Sequence, residues 1–147
     1  ALDRSAQGLK CKSAVHICYG YGIEANNQWK ETLGKEWRQY EETFPALNNS
    51  NIDMVSLECA NSRVPLSLME LLGDKEVMVG AIDVATLVVE TPEQVAATIR
   101  AAMAHVDPER IFPCTNCGLA PLPRDVAVGK LKALGAGAAL VRAELGS

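Results

Sequence analysis

The chain has 147 residues, 48% of them hydrophobic, and a formal net charge of −4. That length and apolar content suit one domain with a buried core, while the mild acidity argues against a nucleic-acid or polyanion-binding surface. No apolar run approaches the ~18 residues of a membrane span, and the first residues lack the basic-then-apolar layout of a signal peptide, so the expected location is the cytoplasm with no membrane partner. The sequence does not begin with Met, as expected for a piece of a longer chain or a processed form. Cys11, Cys18, Cys59, Cys114 and Cys117 are an odd number of thiols, which favours a reducing compartment and thiol ligands over a disulfide framework. Cys11 and Cys59 are expected to be small buried hydrophobes.

In chain order, residues 1–10 read as the tail of a helix ending at Gly8. A first strand over residues 13–18 leads into Tyr19–Gly20–Tyr21–Gly22, a loop where backbone can approach a ligand closely. Trp29, Leu33, Trp37, Tyr40, Phe44 and Leu47 recur at helical spacing, which predicts one amphipathic helix with both tryptophans packed, ended by Pro45 and the polar residues 48–51. Residues 52–57 form a second strand that ends at Glu58. Pro65 opens a short Leu/Met-rich helix closed by Gly73. The near-continuous apolar run 77–82 suits a strand buried on both faces and ends at Asp83. Thr91, Pro92 and Gln94 form a capping box that starts a helix through Val95, Ile99 and Met103. Residues 110–113 are a fourth strand, followed by Cys114–Thr115–Asn116–Cys117–Gly118. The last helix begins near Pro123, with Leu131, Leu134, Ala138, Val141 and Leu145 on one stripe; Gly135 and Gly137 each weaken it by up to ~1 kcal/mol relative to Ala.

Strict strand–helix alternation calls for a parallel sheet with right-handed crossovers. A (βα)₈ barrel uses about 30 residues per unit, so four units make an α/β half-barrel; an open four-stranded sheet is the competing architecture. His16 and Cys18, two residues apart on a strand, point to the same side. They form half of a tetrahedral nitrogen–sulfur zinc site, and Glu58 and Cys117 are the expected remaining donors. His16/Cys18, Glu58, Asp83 and Cys117 each fall at the C-terminal end of a different strand, the face where barrels assemble active sites. Cys114 and Cys117 also read as half a zinc knuckle or a redox pair. No second CxxC or CxxH exists and the motif follows the last strand, so Cys117 is favoured as the ligand and Cys114 as a bystander.

His16–Ile17–Cys18, Ser56–Leu57–Glu58–Cys59–Ala60–Asn61–Ser62, Gly80–Ala81–Ile82–Asp83 and Asn116–Cys117–Gly118–Leu119 resemble successive motifs of the cobalamin-independent methionine synthase family. The similarity runs from about residue 13 to the end and is nearest to the short, core-type members that lack an extra N-terminal barrel. The resemblance implies a catalytic zinc on His16, Cys18, Glu58 and Cys117 in the C-terminal half of a (βα)₈ barrel. The implied reaction is methyl transfer from a methylated folate to homocysteine. It also implies a missing N-terminal half, so the chain is expected to be inactive alone, with its two open sheet edges covered by that half or by a second copy. Two thiolates and a carboxylate more than neutralise the ion, so an incoming thiolate keeps its electron density. Two departures stand out. The segment between Cys18 and Glu58 is longer than in the common enzymes. Ala85 also replaces a histidine that, with the aspartate matching Asp83, serves proton delivery to the leaving group. Asp83 alone, a protonated water, or a different donor or accessory protein then fills that role. Two alternatives share the motif: a zinc thiol alkyltransferase acting on another thiol such as coenzyme M, and a structural zinc module without catalysis.

Overall fold

A computed structural model describes residues 2–146. Its strands are β1 (Ala14–Ile17), β2 (Met54–Glu58), β3 (Glu76–Ile82) and β4 (Ile111–Thr115). They form one sheet in the order β1-β2-β3-β4, every neighbouring pair parallel. In the register His16 lies opposite Ser56, Ser56 opposite Met78 and Met78 opposite Phe112. Alternation then sends Val55, Leu57, Val77 and Val79 to one face, where they join the core with Phe44, Leu47 and Leu72. The helices cover this face. The opposite face keeps His16 exposed and Met78 half-buried, and Phe112 is 39% exposed. The run 77–82 is therefore not buried on both faces along its whole length, as its sequence suggested; its first half is one-sided. Four βα units with helices on one face are half of a (βα)₈ barrel. Among the described residues, β1 and β4 each pair with one strand and form the sheet's edges.

The expected single helix bearing both tryptophans is two: α2 (Glu24–Glu31) and α3 (Tyr40–Asn48), after the short N-terminal α1 (Leu2–Ala6). Between them Gly34 takes φ +81°, and Trp37 donates its N–H to Arg63 O at 2.9 Å, tying the break to the loop after β2. Helical spacing persists across the break only by coincidence of burial. Trp37, Tyr40, Phe44 and Leu47 are interior, whereas Trp29 is 46% exposed and stacks on Tyr19 at 5.7 Å. Pro45 sits inside α3 and does not end it; termination comes from Asn49 Nδ2 donating to Pro45 O and Ser50 Oγ to Leu47 O, at 2.9 and 2.6 Å.

The Leu/Met-rich segment is a 3-10 helix (Leu66–Leu72) stopped by Gly73 at φ +56°. α4 (Pro92–Met103) starts with the expected reciprocal Thr91–Gln94 capping box. β4 extends to Thr115 and so takes in Cys114, which the sequence placed just after the strand. In α5 (Arg124–Leu145) the buried residues are Lys130, Ala133, Gly137 and Val141, with Leu134 and Ala138 packed beside them. Leu131 and Leu145 are exposed. The stripe is rotated because Gly137 lets α5 lie directly on Val95 and Pro92 of α4, and because Lys130 is drawn inward by partners described below. Cys59 is buried as expected, but Cys11 is exposed. No helix among the described residues is long and apolar enough to cross a membrane.

Candidate metal centre

His16 and Cys18 leave the end of β1 on the same side, and Cys117 arrives from the loop just after β4. The two sulfurs lie 3.6 Å apart. His16, Cys18 and Cys117 offer ligand atoms all within 4.8 Å of one another, and they are the only such group of metal-ligating side chains among the described residues. A disulfide would require about 2.0 Å between sulfurs. Two thiolates on a tetrahedral zinc, with Zn–S near 2.3 Å, stand about 3.8 Å apart, so the spacing here matches the edge of a zinc tetrahedron. The His16 ring is held through Nδ1, 3.0 Å from Ser56 Oγ, which leaves Nε2 as the unshared nitrogen. An outer hydrogen bond of this kind fixes ring orientation in metal sites. The donor set thus fits zinc: one imidazole and two thiols, with a carboxylate close by.

Glu58, the expected fourth ligand, is fully buried but does not join the group. Its carboxylate is engaged by residues of the long segment after β1. Tyr19 N–H donates to Oε1 at 2.7 Å, Tyr40 Oη reaches Oε1 at 3.5 Å, and Tyr21 Oη donates to Oε2. It remains within electrostatic reach of Cys18. Burial pushes the Cys18 thiol up to about 11, helped by the neighbouring Cys117 and by the Glu58 charge and opposed by a backbone bond from Gly20. Burial first, then Glu58, likewise raises Tyr21 and Tyr40 far above an ordinary phenol. Such a cluster of acidic groups resists a second negative charge unless a cation shares the space.

Asp83 caps β3 and is nearly buried. It accepts from Asn61 Nδ2 at 3.1 Å and from the Ala85 N–H at 2.8 Å, so its carboxylate is oriented from two sides. It is not one of the three clustered ligands, but its charge reaches Tyr21. Cys114 lies on the inner sheet face, 3.7 Å from Ser56 Oγ, and is not part of the metal group.

Several positioning residues escaped the sequence reading. Asn116 is fully buried; its Oδ1 accepts from Cys59 N–H at 3.0 Å and Ala60 N–H at 3.3 Å, and its Nδ2 donates to Ala60 O at 2.7 Å. It therefore clips the loop that carries Cys117 to the end of β2 that carries Glu58. Gly80 makes room for it, since a Cβ there would stand 2.5 Å from Asn116 Oδ1 and 2.7 Å from Leu57 O. The sequence marked Asn116 only as a polar residue between two cysteines and as the head of the Asn116–Cys117–Gly118–Leu119 motif, with no contact assigned to it. Ser56 stands in the motif that contains Glu58 and Tyr19 and Tyr21 in the glycine loop after β1, but what they touch depends on strand register and on that loop folding back.

Residues 37–139 match the family model described as cobalamin-independent synthase, catalytic domain. The chain belongs to the cobalamin-independent synthase family. It is 32% identical over 99% of its length to methionine synthases of Sulfurisphaera tokodaii and Saccharolobus solfataricus, of which it covers 38% and 39%. Among solved structures, a B12-independent methionine synthase from Shewanella sp. W3-18-1, in complex with selenomethionine, is 62% identical with a TM-score of 0.94; 98% of this chain and 42% of that one are covered. The chain thus spans about two fifths of the length of these family members.

Proposed function

We propose that this chain supplies the thiol-activating C-terminal half of a zinc-dependent homocysteine methyltransferase, completed by a first half-barrel that covers the edges β1 and β4. The observation that carries this reading is the 3.6 Å approach of Cys18 and Cys117 with His16 beside them. Family membership and the selenomethionine in the Shewanella protein support a sulfur amino acid as product. His16, Cys18 and Cys117 would hold the zinc, with Glu58 as a fourth and harder ligand. Zinc bound there would supply a Lewis acid that lets a substrate thiol lose its proton near neutral pH.

The rest is done by the chain's own residues. Ser56 orients the His16 ring, and Asn116 fixes the Cys117 loop. Tyr19, Tyr21 and Tyr40 hold the Glu58 carboxylate. Asp83, oriented by Asn61 and the Ala85 N–H, is assigned to holding a proton for the nitrogen that loses its methyl group. With alanine at position 85 it does so without a neighbouring imidazole. A methylated folate is the proposed donor.

Metal analysis tests the site. About one zinc per chain is expected in the purified protein, falling sharply in Cys18→Ser and in Cys117→Ser; stoichiometric zinc in both variants refutes the assignment. Adding homocysteine to the complete zinc-loaded protein should release protons and add a Zn–S path in X-ray absorption. Neither appears if the site is closed and structural.

A further inference from the structure

Lys130, near the start of α5, has no solvent exposure at all, although α5 lies on the outside of the sheet. An ammonium is retained in such a place only when its hydrogen bonds are all met. All three of its bonds go to one short segment: Val88 O at 2.5 Å and both oxygens of Glu90 at 3.0 Å. Glu90 is nearly buried too, and its Oε1 also accepts the backbone N–H of Asp83 at 2.9 Å. The pair therefore joins α5 to the residue that ends β3. Two more contacts converge there. Gly129, beside Lys130, packs on Val89, and Asp83 and Glu90 line one cleft of about 550 Å³ with Asn61, Thr86 and Gln94.

We infer that Glu90 and Lys130 are positioning residues for Asp83, setting the direction of its carboxylate by clamping its N–H and the turn that follows. This rests on the role given to Asp83 above. The geometry explains why a charged pair sits where apolar residues would pack as well. Glu90 has two oxygens; one must serve the Asp83 N–H and both must stay in place, and the buried ammonium keeps the carboxylate from rotating. Within the turn, Asp83 Oδ1 accepts the Ala85 N–H and Thr86 Oγ1 accepts the Val88 N–H, and the Glu90–Lys130 pair ties that locally bonded turn to α5.

Replacing both partners leaves no buried charge unpaired, so the fold should survive. Lys130→Met/Glu90→Leu removes the acceptor for the Asp83 N–H, and Lys130→Met/Glu90→Met is a second apolar replacement nearer in shape. Lys130→Met/Glu90→Gln keeps an oxygen acceptor. In the complete enzyme, the apolar pairs should speed amide hydrogen exchange at Asp83 at least tenfold and lower kcat at least tenfold. Zinc content and KM for homocysteine should stay within twofold of the parent, and the Gln variant, which keeps the acceptor but loses the ammonium that holds it, should lose less kcat than the apolar pairs without regaining the parent value. Unchanged exchange at Asp83 overturns the proposal. So does an undiminished kcat with faster exchange, or a kcat loss that merely follows loss of zinc. If the parent enzyme forms no methionine, the functional reading fails, and the exchange rates alone decide whether the clamp exists.

Discussion

Gly135 and Gly137 look interchangeable in the sequence, two glycines in the middle of α5, and helix propensity predicts that alanine at either stabilises the chain by ~1 kcal/mol. Their surroundings separate them. A Cβ at Gly135 meets nothing within 4 Å, so Gly135→Ala should raise stability by about 0.5–1 kcal/mol. A Cβ at Gly137 would stand 2.5 Å from Val95 Cβ, 2.6 Å from Val95 Cγ1 and 2.7 Å from Pro92 O. Ordinary carbon contacts lie at about 3.5–4.0 Å. Val95 Cγ1 can rotate away, but Val95 Cβ and the Pro92 carbonyl belong to the framework of α4, so the two helices must separate. Overpacking costs about 1–3 kcal/mol, and the rigid neighbours put this case near the upper end. After the propensity gain, Gly137→Ala should destabilise by about 2 kcal/mol. Denaturant unfolding followed by circular dichroism gives both values from the shift in midpoint. Equal effects of the two substitutions, or a stabilised Gly137→Ala, would refute the packing argument and with it the assigned rotation of α5.

Stability of the metal-free chain should fall as pH rises above about 9. Cys18, at about 11 in the folded chain, and Tyr21 and Tyr40, raised further, deprotonate less readily folded than unfolded; their contribution is complete below the unfolded values and is lost as pH climbs toward the folded ones. Denaturation midpoints at pH 8 and pH 10 check this, and Cys18→Ser and Tyr21→Phe should each flatten the slope; an unchanged slope in both contradicts the burial effect. Asn116→Ala should cost about 1–3 kcal/mol by leaving the Ala60 carbonyl unpaired. It should also weaken zinc binding about 10–100-fold by loosening the Cys117 loop, as loss of an outer partner does; competition with a chelating dye measures it, and parental affinity counts against the clip.

The half-barrel was legible because its signals are local. Apolar runs ending in Glu58, Asp83 and the Cys114–Cys117 segment, separated by helical periodicity and a Thr91–Gln94 capping box, dictate βα units whatever lies around them. The spacing of His16 and Cys18 likewise fixes that both leave β1 on one side, since alternation is a property of the strand itself. Tertiary structure decided everything that depends on meeting a distant neighbour. It broke the helix around Gly34, because the Trp37 N–H found Arg63 O across the fold. It turned α5 so that Lys130, and not Leu131, faces inward, because Gly137 meets Val95 and because Glu90 and Val88 provide a buried ammonium with partners. It gave the Glu58 carboxylate to three tyrosines and left His16, Cys18 and Cys117 together. Periodicity records which way a side chain leaves its own element. Register, helix rotation and loop return decide what that side chain then touches, and the chemistry of this site lies in those contacts.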